Sequence, residues 1–215
     1  MIKRNGVNVA LDVGACYGEF ATQMRVFGYK NRIISFEPVS ESFSKLEQQV
    51  SKDPHWECHP YALGSENTKK IIHILNCRQA SSLLEPTEAL QRHFGAQMAI
   101  EKEEIVQIKR LSDVIPSLCQ PKDVLFLKID AQGYEKQIIE GAGESLSSCI
   151  LIQMEVSLIP FYKNETMIAD MILYMEQKGF VPVSIEPGDY SRETLQEFQV
   201  DLIFGQAAIF GGQAP

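Results

Sequence analysis

Asp12-Val13-Gly14-Ala15-Cys16-Tyr17-Gly18 closes a short apolar run that begins at Val7. The run reads as a buried first strand, the two glycines as a tight turn, and residues 19–27 as the helix that follows. A strand–turn–helix of this kind brings backbone N–H groups and a helix N-terminus close to a ligand. Glycine is needed there where φ is positive or where a side chain would block the approach. The next apolar run, Ile33-Ile34-Ser35-Phe36, ends in Glu37-Pro38. An acid at the end of a second strand is placed to accept both hydroxyls of a ribose. Together these features predict a nucleoside-based cofactor.

The spacing of the glycines decides which one. A dinucleotide fingerprint has glycine at its first, third and sixth positions. Counting from Gly14, the third position is Cys16 and the sixth is Glu19, so two of the three are missing. Asp12, just before the turn, would also repel a pyrophosphate. S-adenosylmethionine (SAM) has no phosphate and carries a sulfonium and an ammonium, which suit an acid at the strand end. SAM is therefore preferred over NAD.

At 215 residues the chain is read as one domain, 1–215, with a core of ordinary size. Hydrophobic residues make up 45% and charged residues 22%, as in globular proteins. A net charge of −8 argues against unaided binding to a nucleic-acid backbone. No apolar run approaches the roughly 20 residues of a membrane span. The N-terminal apolar stretch is too short and interrupted for a signal peptide. Five cysteines, an odd number with no C-x-x-C, fit reduced thiols in a cytoplasmic protein. Cys58, Cys77 and Cys149 are expected to be buried packing residues. His55 and His59 lie in a segment read as a strand, where they would stand about 13 Å apart, too far to share a metal. The sequence marks no metal site, and whether a divalent metal assists through Asp130 and Glu155 stays open.

Strand and helix patterns alternate to the end of the chain. Ser40 is read as the cap of a second helix, and 56–63 as a third strand. Segments 70–75 and 104–109 are read as extended, antiparallel additions. The polar, helical stretch 85–103 between them is read as a lid insertion over the acceptor site. Val124-Leu125-Phe126-Leu127-Lys128-Ile129 is a near-continuous apolar run, as in a central parallel strand. It ends in Asp130. A further central strand, 150–156, carries Glu155; helix 166–177 stops at Gly179, and 181–185 and 199–204 close the sheet. The tail 211–215 is expected to be frayed. This alternation predicts an α/β fold with a doubly wound, mostly parallel sheet. Ligands then sit at the carboxyl ends of the strands, where Asp12, Glu37, Asp130 and Glu155 are expected to converge on one rim.

These residues resemble the FkbM family of SAM-dependent O-methyltransferases. The family pattern has D-V-G-A-N-x-G, F-E-P, S-S-L, K-I-D-x-x-G-x-E and then G-A. This chain has 12–18 as quoted, Phe36-Glu37-Pro38, Ser81-Ser82-Leu83, Lys128-Ile129-Asp130-Ala131-Gln132-Gly133-Tyr134-Glu135 and Gly141-Ala142. Cys16 stands where the family has asparagine, and Ser112 where it has aspartate. The match runs from about Val9 to about Phe204. The chain starts only a few residues before the first strand, so another lid, a partner or a truncation is expected to account for the lack of the N-terminal helix that covers many such sites.

The resemblance implies a seven-stranded, Rossmann-like sheet of the class I SAM-dependent methyltransferase type. It implies methyl transfer to a hydroxyl of a sugar, glycan or secondary metabolite. The cofactor set it implies is Asp12, Gly14, Ala15, Cys16, Gly18, Phe20, Glu37, Pro38, Ala62, Leu63, Ser82 and Asp130. Asp130 is the first candidate for a base and Glu155 the second; His93 is read as an exposed histidine. Two other readings stay open: an NAD-dependent oxidoreductase and a non-catalytic SAM-binding protein. The sequence leaves the acceptor unnamed and the oligomeric state open, a homo-oligomer included.

Overall fold

The first strand and its turn form as their sequence dictates. In the computed structural model, which describes residues 1–212, β1 (Val9–Val13) is buried along its whole length. It runs through the glycine turn into α1 (Glu19–Val26). There follow β2 (Arg32–Phe36), α2 (Ser40–Val50), β3 (Trp56–His59), β4 (Ala62–Leu63), β5 (Thr68–Leu75) and α3 (Glu88–Phe94). The second half contains β6 (Ile100–Lys109), α4 (Leu111–Leu118), β7 (Leu125–Ile129), α5 (Glu135–Ala142) and β8 (Cys149–Ser157). It ends with α6 (Ile168–Gln177), β9 (Phe180–Pro187), β10 (Gln199–Gln206) and α7 (Ala207–Phe210). The part of the expected frayed tail at 213–215 lies outside the described residues.

Seven strands form one sheet in the order β3-β2-β1-β7-β8-β10-β9. The first five are mutually parallel and β10 is antiparallel to both of its neighbours. The strand order reverses at β1, so the crevice for a ligand opens between the carboxyl ends of β1 and β7.

Side chains alternate between the two faces. Val9, Leu11 and Val13 pack with Leu111 and Val114 of α4, Ile138 and Ile139 of α5, and Met171 and Met175 of α6. Ala10, Ile33, Phe126 and Leu151 face α1 and α2 through Ala21, Met24 and Leu46. By the same period, Asp12, Ser35 and Lys128 lie on the α1–α2 face, and the register sets all three side by side.

Four expectations need correction. The stretch read as one third strand breaks after His59, at Pro60; β3 stays in the main sheet, and β4 joins β5 and β6 in a separate three-stranded sheet. That small sheet covers Val39 with Ile72, Ile74 and Val106, so it forms a wall of its own and does not extend the main sheet. Ser40 does not cap α2; its hydroxyl donates to Glu104 across the gap to β6. Of 85–103, only 88–94 is α-helical, and its last residues already belong to β6. Among the cysteines, Cys149 and Cys16 are buried, whereas Cys58 and Cys77 are half-buried. Among the described residues, no helix is long and apolar enough to cross a membrane.

Candidate active site

The glycine turn is tight for a steric reason. Gly14 has φ +76, and a Cβ there would fall 1.8 Å from the carbonyl oxygen of Asp130. The turn therefore touches the end of β7. At Gly18, with φ +87, a Cβ would meet the Trp56 ring at 2.7 Å. Between them Cys16 is left-handed at φ +46. Asparagine, the family residue at this position, tolerates that conformation better than cysteine does. The strain at Cys16 is offset by its own N–H, which donates to Glu37 Oε2 at 2.8 Å. Glu37 Oε1 accepts the N–H of Val39 at 2.8 Å.

Glu37 thus ties the glycine turn to the start of α2 while only 5% exposed. Burial is the main influence on its carboxyl, which is pushed up to about 7. Each carboxylate oxygen keeps a lone pair beyond the backbone bond it accepts. Gly14, Cys16, Glu37, Pro38, Ala62, Leu63 and Asp130 line one cavity. Val39, Ile72, Tyr134 and Ile138, which were not anticipated, line it too. An acceptor-only carboxylate beside apolar walls suits a ribose with its base, so the donor set fits a nucleoside cofactor.

Ala15 and Phe20 line an adjoining open groove, shared with Gly14, Cys16, Lys128, Asp130 and Glu155. Gly18 lines neither space; it is the N-cap residue that precedes α1. Ser82 is also off the cavity: its hydroxyl donates to Gln132 O at 2.7 Å, and its neighbours Ser81 and Leu83 face the cavity instead.

Asp12 departs most from expectation. It is fully buried, accepts the Ser35 hydroxyl at 3.0 Å, and lies 3.7 Å from Lys128 Nζ. Trp56 Nε1 donates to the same Ser35 hydroxyl at 2.9 Å. Burial raises the Asp12 carboxyl, opposed chiefly by Lys128. Asp12 therefore belongs to the scaffold beneath the turn and not to the rim.

The other strand-end acids do meet. Ile129 pairs with Met154, so Asp130 and Glu155 come level one residue further on. Gln132, left-handed at φ +52, links them: its Nε2 donates to Asp130 Oδ1 and to Glu155 Oε2, both at 2.8 Å. Gln199 Nε2 also donates to Glu155 Oε2, at 2.8 Å. The Tyr162 hydroxyl lies 2.9 Å from Gln132 Oε1 and 2.7 Å from Ala80 O. Lys128 Nζ stands 3.3 Å from Asp130 Oδ2. Burial, then the charges of Asp130, Glu135 and Asp201, push the Glu155 carboxyl well above the usual range. Glu135, the last acid of the K-I-D block, accepts the backbone N–H groups of Ala131 and Gly133 and so fixes the loop that carries Gln132.

Sequence reading missed Lys128, Gln132, Tyr162 and Gln199. A signal existed for Lys128. A lysine inside an apolar central strand is buried, and buried lysines are paired. Among the described residues, no group of three or more His, Cys, Asp or Glu residues is arranged to hold a metal.

This sheet order and rim define a class I methyltransferase fold. The Methyltransferase FkbM domain matches residues 12–182, and the chain belongs to that family. It is 24% identical over 203 residues to Methyltransferase 1 of Beauveria bassiana (strain ARSEF 2860), covering 88% of this chain and 78% of that protein. The crystal structure of an FkbM methyltransferase from Methylobacillus flagellatus KT superposes with a TM-score of 0.55 at 15% identity. It covers 91% of this chain, which spans 43% of that longer one. Magnesium protoporphyrin IX methyltransferase from Synechocystis PCC 6803, solved with bound SAM, superposes with a TM-score of 0.53 at 7% identity over 95% of this chain and 74% of its own.

Proposed function

We propose that the chain is a SAM-dependent O-methyltransferase acting on a hydroxyl of a sugar, glycan or secondary metabolite. The observation that carries this reading is Glu37, a buried carboxylate with free lone pairs, in one cavity with the Gly14 turn and Asp130. In this reading Glu37 accepts the ribose hydroxyls, the backbone of 14–16 lies along the amino-acid portion, and Val39, Leu63 and Ile138 flank the base. SAM, when bound, supplies an activated methyl group.

Asp130 takes the proton of the acceptor hydroxyl. Lys128 and Gln132 hold one oxygen each of its carboxylate, which fixes its orientation. Glu155, whose environment favours the protonated form, leaves the base role to Asp130. Much of the acceleration comes from alignment, and the base adds typically 10²–10⁴-fold. The test is incubation of the protein with methyl-labelled SAM and extract of its source cells, read by mass spectrometry. A hydroxylated small molecule gaining one labelled methyl supports the proposal. Label only in RNA or protein, or none, contradicts it.

The ionisation of Glu37 gives a further expectation. Ribose hydroxyls donate to the carboxylate form, and the carboxyl stands near 7. SAM affinity should therefore rise with pH through that value, by about tenfold from pH 6 to pH 8. Calorimetric titration at the two pH values checks this, and a flat profile removes Glu37 from the ribose contact.

The segment around α3 is proposed as the cover of the acceptor site. Leu90 and Met98 anchor it on Phe161 and Phe198, and the ring of the exposed His93 lies 4.5 Å from that of Phe198, while Gln91 and Arg92 face solvent. Amide hydrogen exchange across 88–98 should slow when cofactor and acceptor are both bound. Equal protection with and without them would make the segment a fixed structural insert.

A further inference from the structure

On the side of Asp130 away from the cofactor cavity runs a second groove with two unlike walls. One wall is apolar: Leu90, Phe94 and Met98. It is backed by aromatic packing, with the Phe94 ring 5.3 Å from Phe161 and 5.7 Å from Phe198. The other wall is polar and acidic: Glu155, Gln199 and Asp189. Asp189 is pinned by its carbonyl oxygen, which accepts the N–H of Phe198 at 2.7 Å. Among the described residues, no Lys, Arg or His lines the groove. The nearby cations are already paired: Lys128 lies between Asp12 and Asp130, and Arg78 pairs with Glu41 and Glu101.

We propose that this groove seats the acceptor, and that the acceptor is an uncharged, hydroxyl-bearing amphiphile: its apolar body lies on Leu90, Phe94 and Met98, and its hydroxyl reaches Asp130. The inference rests on the methyltransferase reading above and adds the acceptor class to it. Charge is the discriminating term. A phosphate in the groove would face the carboxylates of Asp130 and Asp189 with no cation free to offset them, whereas a neutral hydroxyl donates to the same oxygens. The apolar wall excludes a purely polar sugar as the best fit, because burying apolar area is what it can contribute to binding.

The test uses two probes with one apolar body, octyl β-D-glucoside and octyl phosphate, below their micelle concentrations. Binding is read by ligand-observed NMR on the full chain with saturating S-adenosylhomocysteine. Octyl glucoside should bind saturably and at least about tenfold more tightly than octyl phosphate. Phe94→Ala should weaken the glucoside several-fold. Asp189→Lys, on an exposed turn, should narrow the discrimination between the probes without altering the thermal midpoint. Octyl phosphate binding as well as the glucoside, or glucoside binding absent or indifferent to both variants, overturns the acceptor class while leaving the methyltransferase reading intact. If S-adenosylhomocysteine itself fails to bind, the methyltransferase reading falls, and this inference falls with it.

Discussion

Asp130→Asn is expected to lower methyl transfer by about 10²-fold or more while leaving SAM affinity within about twofold. The substitution keeps the size of the side chain and removes its ability to take a proton. The contacts bear on the alternatives. If Asp130 only capped the helix that follows, asparagine would serve equally well, but Glu135 already supplies that turn through the N–H groups of Ala131 and Gly133. If Asp130 held the positive end of the cofactor, affinity and turnover would fall together. The measurement is label incorporation from methyl-labelled SAM into the accepting fraction, beside a calorimetric SAM titration. Full turnover in the variant would remove Asp130 as base.

Lys128→Met should have the largest effect on stability. Lys128 is 8% exposed and is the counter-charge of Asp12, which is fully buried. Removing one partner of a buried ion pair typically costs about 3–5 kcal/mol, because the other charge stays buried without compensation. Asp12 would keep only the Ser35 hydroxyl. The pH dependence has a definite sign. The folded-state carboxyl of Asp12 is raised above its ordinary value by burial, and it rises further without Lys128. The folded state then binds a proton more readily than the unfolded state. The penalty is fully present above the raised folded value and shrinks as pH falls through it towards the unfolded value. Urea denaturation at pH 8 and pH 5 checks this. A loss under about 1 kcal/mol at pH 8 would show that the pair contributes little, and a larger loss independent of pH would show that it does not act through the Asp12 charge.

The parts of this molecule that were legible in the sequence are those governed by short-range rules. Gly14 and Gly18 mark a turn because backbone geometry demands it, and the apolar runs at β1, β2, β7 and β8 mark buried parallel strands because both faces are covered. Glu37 and Asp130 follow from their positions at strand ends. What was not legible depends on which strands become neighbours. Asp12 looked like a rim acid until β1, β2 and β7 came into register and set it beside Ser35 and Lys128. Gln132 falls at a variable position of the block that begins at Lys128; its role as a bridge depends on Glu155 arriving from β8, 23 residues away. The separate small sheet turns on Pro60, which the alternation of 56–63 concealed.

The most direct test of the central claim is a calorimetric titration of SAM, and separately NADH, into the wild-type chain and into Glu37→Ala. Charge-assisted hydrogen bonds are worth about 1.5–3 kcal/mol each, and Glu37 also supports the turn through Cys16 N and the start of α2 through Val39 N. SAM should bind wild type with one-to-one stoichiometry, NADH should give no saturable heat, and Glu37→Ala should weaken SAM by at least about tenfold. NADH binding in place of SAM, or unchanged SAM affinity in a folded Glu37→Ala protein, would contradict the account.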